Sequence, residues 1–199
     1  MTRLQAVKQV VQRFVNGDGR GLDGRPNDLI GLVTFARYAE TVLPLTLSHG
    51  TLEEFLRDVN VVTEQSQDGT AIGDALALAA ARLRIAEEDL SDRRDYEIKS
   101  KVIILLTDGR HNAGERTPIE AGELANIWGI KIYAIGIGVG EAGRTIRTPL
   151  GNFSLPNSQL VDTAGLQALA DRTGGLFRIA EDTESLAAIY QEIDKLEKS

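Results

Sequence analysis

The chain has 199 residues, a formal net charge of −7 and a pI near 5.0, with 42% hydrophobic and 26% charged residues. That is enough sequence for one well-buried α/β domain over residues 1–199. The absence of cysteine excludes disulfides, thiol catalysis and a cysteine-rich zinc site. No basic stripe emerges, which disfavours nucleic-acid binding, and no apolar run reaches the roughly 18 residues that a spanning helix needs. The chain therefore reads as soluble, with no targeting segment.

A helix opens the chain from Met1 to Asn16, with Leu4, Val7, Val10, Val11 and Phe14 at helical spacing. Gly17 to Asn27 is a turn-rich loop. Leu29 to Phe35 is a buried strand, and Glu40 to Leu47 is a weaker one whose Pro44 indicates an edge. Thr51 is expected to cap a short helix through Asn60, with Glu54 completing a capping box and Leu52, Phe55, Leu56 and Val59 facing inward. After the polar loop Glu64 to Thr70 comes an alanine-rich helix, Ala71 to Glu88. Leu90 to Ser100 is a charged connection.

Lys101 to Gly114 then carries the densest signal. Val102 to Leu106 is an unbroken apolar run, as in a central strand of a parallel sheet buried on both faces. It stops at Thr107-Asp108-Gly109, where open α/β sheets bind ligands. Downstream, Thr117-Pro118-Ile119-Glu120 is a strong helix start, and Gly129 follows its end at Trp128. Ile130 to Gly138 is a strand and Gly140 to Ser158 a long loop. Asp162 or Thr163 starts a helix that stops at Gly174-Gly175. Leu176 to Ile179 is the last strand, and Asp182 caps a final helix. The alternation predicts a doubly wound, mostly parallel sheet with helices on both faces. The opening helix fits poorly, because no strand precedes it.

Two residues stand out chemically. Asp108 lies at a strand end, where it either caps a turn or serves a site. Thr70 lies at a helix N-terminus, where it is a capping hydroxyl or a neutral ligand to a hard cation such as Mg²⁺. Asp28 lies at the wrong end of its strand, and Asp74 sits one turn into its helix. His111 is either a solvent-facing loop residue or, being near Asp108, a metal-binding or catalytic group. The glycines of GIGVGEAG lack dinucleotide spacing, and neither a P-loop nor a hydrolase elbow is present.

The ordered set DGTAIGDALALA, IILLTDGRHNAG and IKIYAIGIG resembles the von Willebrand factor type A (VWA) domain over nearly the whole chain. DGTAIGDA, TPLGNF and TGGLFRIAEDTESLAAIYQEIDKLEK resemble its bacterial aerotolerance (BatA-like) branch. The resemblance implies a metal-ion-dependent adhesion site (MIDAS) built from a D-x-S-x-S motif, a Thr matched by Thr70 and an Asp matched by Asp108. The D-x-S-x-S motif and its strand are not in this sequence, so the expectation is a chain N-terminally truncated by one central strand. Two expectations follow: the Leu29–Phe35 and Val102–Leu106 strands pair directly or through a segment of another copy, and Mg²⁺ binds weakly or not at all. The resemblance further implies a binding module rather than an enzyme, taking an acidic side chain of a partner protein through Mg²⁺. It also implies a bacterial membrane-anchored parent with this domain outside the cytoplasmic membrane, and a MoxR-type AAA+ ATPase in the same pathway. The alternatives are a Mg²⁺-dependent phosphoryl-transfer enzyme with Asp108 as acceptor, and a self-associating fragment without metal function.

Overall fold

The computed structural model describes residues 2–91, 98–138, 145–148, 151–154 and 161–198. A parallel core of three strands runs in the order β3 (Lys101–Thr107), β4 (Ile130–Ile137), β7 (Phe177–Ala180). Its strands are rich in Val and Ile with buried residues on alternate faces, as a sheet covered on both sides requires. One face packs against α3 (Ile72–Ser91), α4 (Pro118–Ile127) and α5 (Thr163–Thr173) through Leu76, Ile103, Leu105, Ile132 and Leu169. The other packs against α1 (Arg3–Asn16) and α6 (Thr183–Glu197) through Val10, Tyr133, Ile135, Leu186 and Tyr190. Helices thus lie on both faces, as the winding requires.

The remaining strands form separate sheets. β1 (Ile30–Phe35) pairs antiparallel with β2 (Ala39–Thr46), whose Pro44 is exposed on the edge. Among the described residues β1 hydrogen-bonds only β2, and β3 only β4, so the expected direct pairing of β1 with β3 does not form. The two strands stand too far apart to share a ladder. Side chains of α1 and α3 line the interval between the two strands, which is a cleft of about 1770 Å³. β1 has no buried residue, and Val102, Ile104 and Leu106 of β3 are only half-buried.

Two other expectations are corrected. α2 spans His49–Asp58 with Ser48 at its N-cap and no side-chain capping bond. Thr51 instead meets the Ser48 hydroxyl at 2.8 Å, and Phe55 is 40% exposed while Leu52 and Leu56 are buried. The helix starts earlier because its backbone begins at the turn after β2, leaving Thr51 inside the first turn and the Thr51–Glu54 spacing unused. Within the expected loop Gly140–Ser158, Thr145–Thr148 (β5) and Gly151–Ser154 (β6) form an antiparallel hairpin. Two four-residue strands carry too little periodicity to read locally. The rest of that loop, and residues 92–97 of the charged connection, lie outside the described residues.

Helix starts follow the sequence closely. Thr117 and Glu120 close a capping box with Pro118 in the first turn, and Asp182 with Ser185 closes another. The backbone N–H and then the hydroxyl of Thr117 hold the Glu120 carboxyl below its ordinary pKa; the Ser185 N–H and hydroxyl do the same for Asp182. The backbone N–H groups of Arg20 and Leu22 act likewise on Asp18. Since the folded values lie below the unfolded ones, this stabilisation is complete above the ordinary carboxylate range, about pH 4, and is lost as pH falls through the lower folded values. The urea midpoint is therefore expected to hold from neutral pH to about pH 5 and then fall towards pH 3. A midpoint that rises over that acid interval would contradict the assignment.

Candidate functional site

Three loops and one helix start converge at the carboxyl end of β3. The first loop, after β1, is tied to the second by backbone bonds from Arg37 N to Gln67 O (3.1 Å) and from Ala71 N to Ala36 O (2.8 Å). The second carries Thr70, whose N–H donates to Asn112 Oδ1 at 2.8 Å while its carbonyl accepts from Asn112 N at 3.2 Å. The third runs from Asp108 to Glu115. Glycines permit the close approach: a Cβ on Gly69 would lie 2.9 Å from Ala113 Cβ and 3.0 Å from Arg37 Cα.

Thr70 lies beside the Asp108–Gly109 turn here. A Cβ on Gly109, next to Asp108, would lie 3.2 Å from Thr70 Oγ1, so the hydroxyl stands directly over that turn. The turn is tightened by Thr107, whose Oγ1 donates to Gly109 O at 3.1 Å and accepts from Gly109 N at 3.3 Å. Asp108 is exposed and Thr70 half-buried. Arg3 is also at this place, with no local signal to announce it. Its Nη1 lies 3.8 Å from Asp108 Oδ2, and its guanidinium rests on the backbone at Gly138, at the end of β4. Both side chains are about two-thirds exposed, so the pair is screened and adds little to stability.

Asp74 has a supporting role that its position only partly signalled. Its carboxylate accepts from Glu115 N and Arg116 N, at 3.0 and 2.8 Å, and so fixes the end of the Asp108 loop. Asp28 lies before β1, at the opposite end of the strands, where its carbonyl meets His49 Nε2. His111 is half-buried rather than solvent-facing, and its buried Nδ1 has no partner among the described residues. A recess of about 650 Å³ beside the rim is lined by Arg37, Tyr38, Asp68, Asp74, Asn112 and Glu115, with Tyr38 73% exposed.

This arrangement, helices on both faces of a parallel sheet with a Thr and an Asp over one strand end, can be set beside known proteins. The family model of the von Willebrand factor type A domain matches residues 1–192. The chain belongs to the VWA domain family.

Among solved structures, this VWA domain is similar to BatB of Bacteroides thetaiotaomicron, at 28% identity and TM-score 0.68, covering 99% of this chain and 89% of that one. It is also similar to an aerotolerance-related membrane protein of Bacteroides fragilis, at 25% identity and TM-score 0.67, covering 97% and 89%. These likenesses place it in the BatA/BatB-like branch. A protein of Borreliella burgdorferi is 29% identical over 197 residues, 98% of this chain and 52% of its own length, so the chain spans about half of that curated relative. No helix among the described residues is long and apolar enough to cross a membrane.

Magnesium prefers six oxygen ligands in near-octahedral array. The rim offers two protein oxygens, from Thr70 and Asp108, while Asp74 is committed to backbone N–H groups. No group of three or more acidic, His or Cys side chains able to hold a metal exists among the described residues. With the Arg3 guanidinium beside the carboxylate, these residues do not by themselves fit a magnesium site.

Proposed function

We propose that this domain is a protein–protein interaction module, without enzymatic activity, whose partner docks on the Thr70–Asp108 rim and brings an acidic side chain to it. The carrying observation is the convergence of Thr70, Asp108 and Arg3 at one strand end, beside a recess flanked by an exposed tyrosine. Arg3 supplies a charged donor for a carboxylate, and Tyr38 supplies the amphipathic surface that protein interfaces favour. The magnesium-bridged contact implied by the family resemblance needs oxygens beyond the two described. Calorimetric titration of this chain with Mg²⁺ is therefore expected to show no micromolar affinity.

The docking itself is tested with immobilised domain and polyglutamate as the acidic probe, with magnesium and with chelator. Binding is expected in both conditions, to weaken in Arg3→Ala and to persist in Asp108→Ala. Binding that needs magnesium and disappears in Asp108→Ala would replace the guanidinium with a cation bridge. We further propose that the parent protein is membrane-anchored with this domain outside the cytoplasmic membrane, and that a MoxR-type AAA+ ATPase serves the same pathway. The description of the Bacteroides fragilis relative as a membrane protein supports the first point.

A further inference from the structure

The recess beside the rim is lined by charges of both signs that the chain leaves unpaired. Backbone contacts fix its frame. Arg37 N donates to Gln67 O at 3.1 Å, and a Cβ on Gly69 would lie 3.0 Å from Arg37 Cα and 2.9 Å from Ala113 Cβ. The Asp74 carboxylate holds Glu115 N at 3.0 Å. Three loops are therefore locked together, and Arg37, Asp68 and Glu115 line the space of about 650 Å³ that they enclose. Arg37 and Asp68 have neighbouring backbones and opposite charges, yet they form no ion pair with each other. Neither their side chains nor that of Glu115 has a partner among the described residues.

Each group has a use for a ligand. The Arg37 guanidinium is a donor for a carboxylate. Asn112 Nδ2 is a second donor, since only Asn112 Oδ1 is taken, by the N–H of Thr70. Asp68 and Glu115 are acceptors for a cation, whereas the Asp74 carboxylate is already bonded to Glu115 N and Arg116 N. Tyr38, 73% exposed, offers a ring along which the aliphatic stem of a lysine or arginine can lie. A lone anion would meet two carboxylates here, and a lone cation would meet the guanidinium. Two neighbouring side chains of opposite charge satisfy both. The volume lies in the range of small-ligand pockets, roughly 300–1,000 Å³, which suits a short segment of chain rather than a folded element.

We propose that the recess receives an acidic and a basic side chain close together in the sequence of the docking protein. The acid lies on Arg37 and Asn112, and the base lies on Asp68 and Glu115 with its stem along Tyr38. This rests on the reading that a partner docks on the Thr70–Asp108 rim, and it adds a charge pattern to that partner. Arg3 and the interval between β1 and β3 take no part in it.

The test adds two octapeptides to the intact chain, each of one glutamate, one lysine and six glycines, N-terminally labelled with fluorescein and amidated. In one the two charges are adjacent, and in the other they occupy the two ends. Both have the same net charge, so the long-range field of a chain carrying −7 does not distinguish them. Exposed charge contacts are weak singly and act mainly on specificity, so the ratio of affinities is the readout. By anisotropy the adjacent pair is expected to bind at least about fivefold more tightly. The ratio is expected to fall to about one in Arg37→Ala and in the double variant Asp68→Asn with Glu115→Gln. The circular dichroism melting curves of these variants are expected to stay unchanged, because the altered side chains have no described partner to lose. Polyglutamate binding is measured on the same samples. Equal binding of the two octapeptides while polyglutamate still binds would overturn the charge pair and leave docking on the rim standing. Loss of polyglutamate binding as well would overturn both. A preference that persists in the variants would place its origin outside the recess and overturn the charge pair too.

Discussion

Gly73→Ala is expected to abolish the stable fold. A Cβ at Gly73, in the first turn of α3, would lie 1.9 Å from the carbonyl oxygen of Arg116 and 2.6 Å from the carbonyl carbons of Arg116 and Thr117. All three are backbone atoms at the start of α4, so no side chain can swing aside. The neighbouring Asp74 makes retreat worse, because its bonds to Glu115 and Arg116 pin the same segment. Either α3 and α4 separate and open the alanine-rich interface between them, or the Asp108 loop is torn from its anchor. The cost is expected to exceed about 4 kcal/mol, in the range where a single mutation signals overpacking. Gly50→Ala is the matched control. That glycine lies in α2 with nothing near its Cβ position, so the substitution is expected to stabilise by up to about 1 kcal/mol. Urea unfolding followed by circular dichroism separates the two. A Gly73→Ala midpoint close to wild type would show that α3 and α4 do not approach as described.

The second large effect is expected at Asp194, buried in α6 with only 4% exposure. Its Oδ1 lies 2.7 Å from Nη2 of Arg25, a charge contact out of line for a hydrogen bond, and its Oδ2 accepts from Lys198 Nζ at 2.8 Å. Arg25 also lies over the Phe14 ring, 4.9 Å from its centroid, and Phe14 meets Tyr190 edge-on at 5.0 Å. The pair thus clamps α1, the loop before β1 and α6 together. Burying these two charges gains little net stability, but removing Asp194 leaves the buried Arg25 to the half-exposed Asp28, 3.3 Å from its Nη1, which is a weaker counter-charge. Asp194→Ala is expected to cost about 3 kcal/mol. Arg25→Leu with Asp194→Leu, which removes both charges, is expected to cost less than Asp194→Ala alone. A double variant as unstable as the sum of the two singles would show that the residues act independently.

How much was legible in advance divides along sequence separation. The strands β3 and β4 are readable because an unbroken branched-apolar run is how a two-sided central strand must look. The start of α4 is readable because a capping box and an N1 proline satisfy backbone groups within four residues. Asp108 is readable for the same reason: it follows the strand at once. Thr70 owes its place in the argument to the family resemblance, since as a hydroxyl at a helix start it is otherwise a capping residue. The Thr145–Ser154 hairpin is too short to carry its own period.

Other features depend on residues that the chain brings together from afar. Arg3 reaches the rim because α1 packs on one face of the sheet with its N-terminus beside the ends of β3 and β4. Asp74 serves a loop some forty residues downstream, and Arg25 finds its acid in the last helix. The sequence by itself determined which of the longer segments are helix or strand, where most of them begin, and that an acid ends the central strand, because those outcomes rest on local periodicity and on bonds between near neighbours. Only the tertiary structure decided that β1 and β3 stand apart, that an arginine faces the acid, and that Asp194 is buried. Those outcomes depend on which distant side chains fill a given space, and no local pattern encodes that.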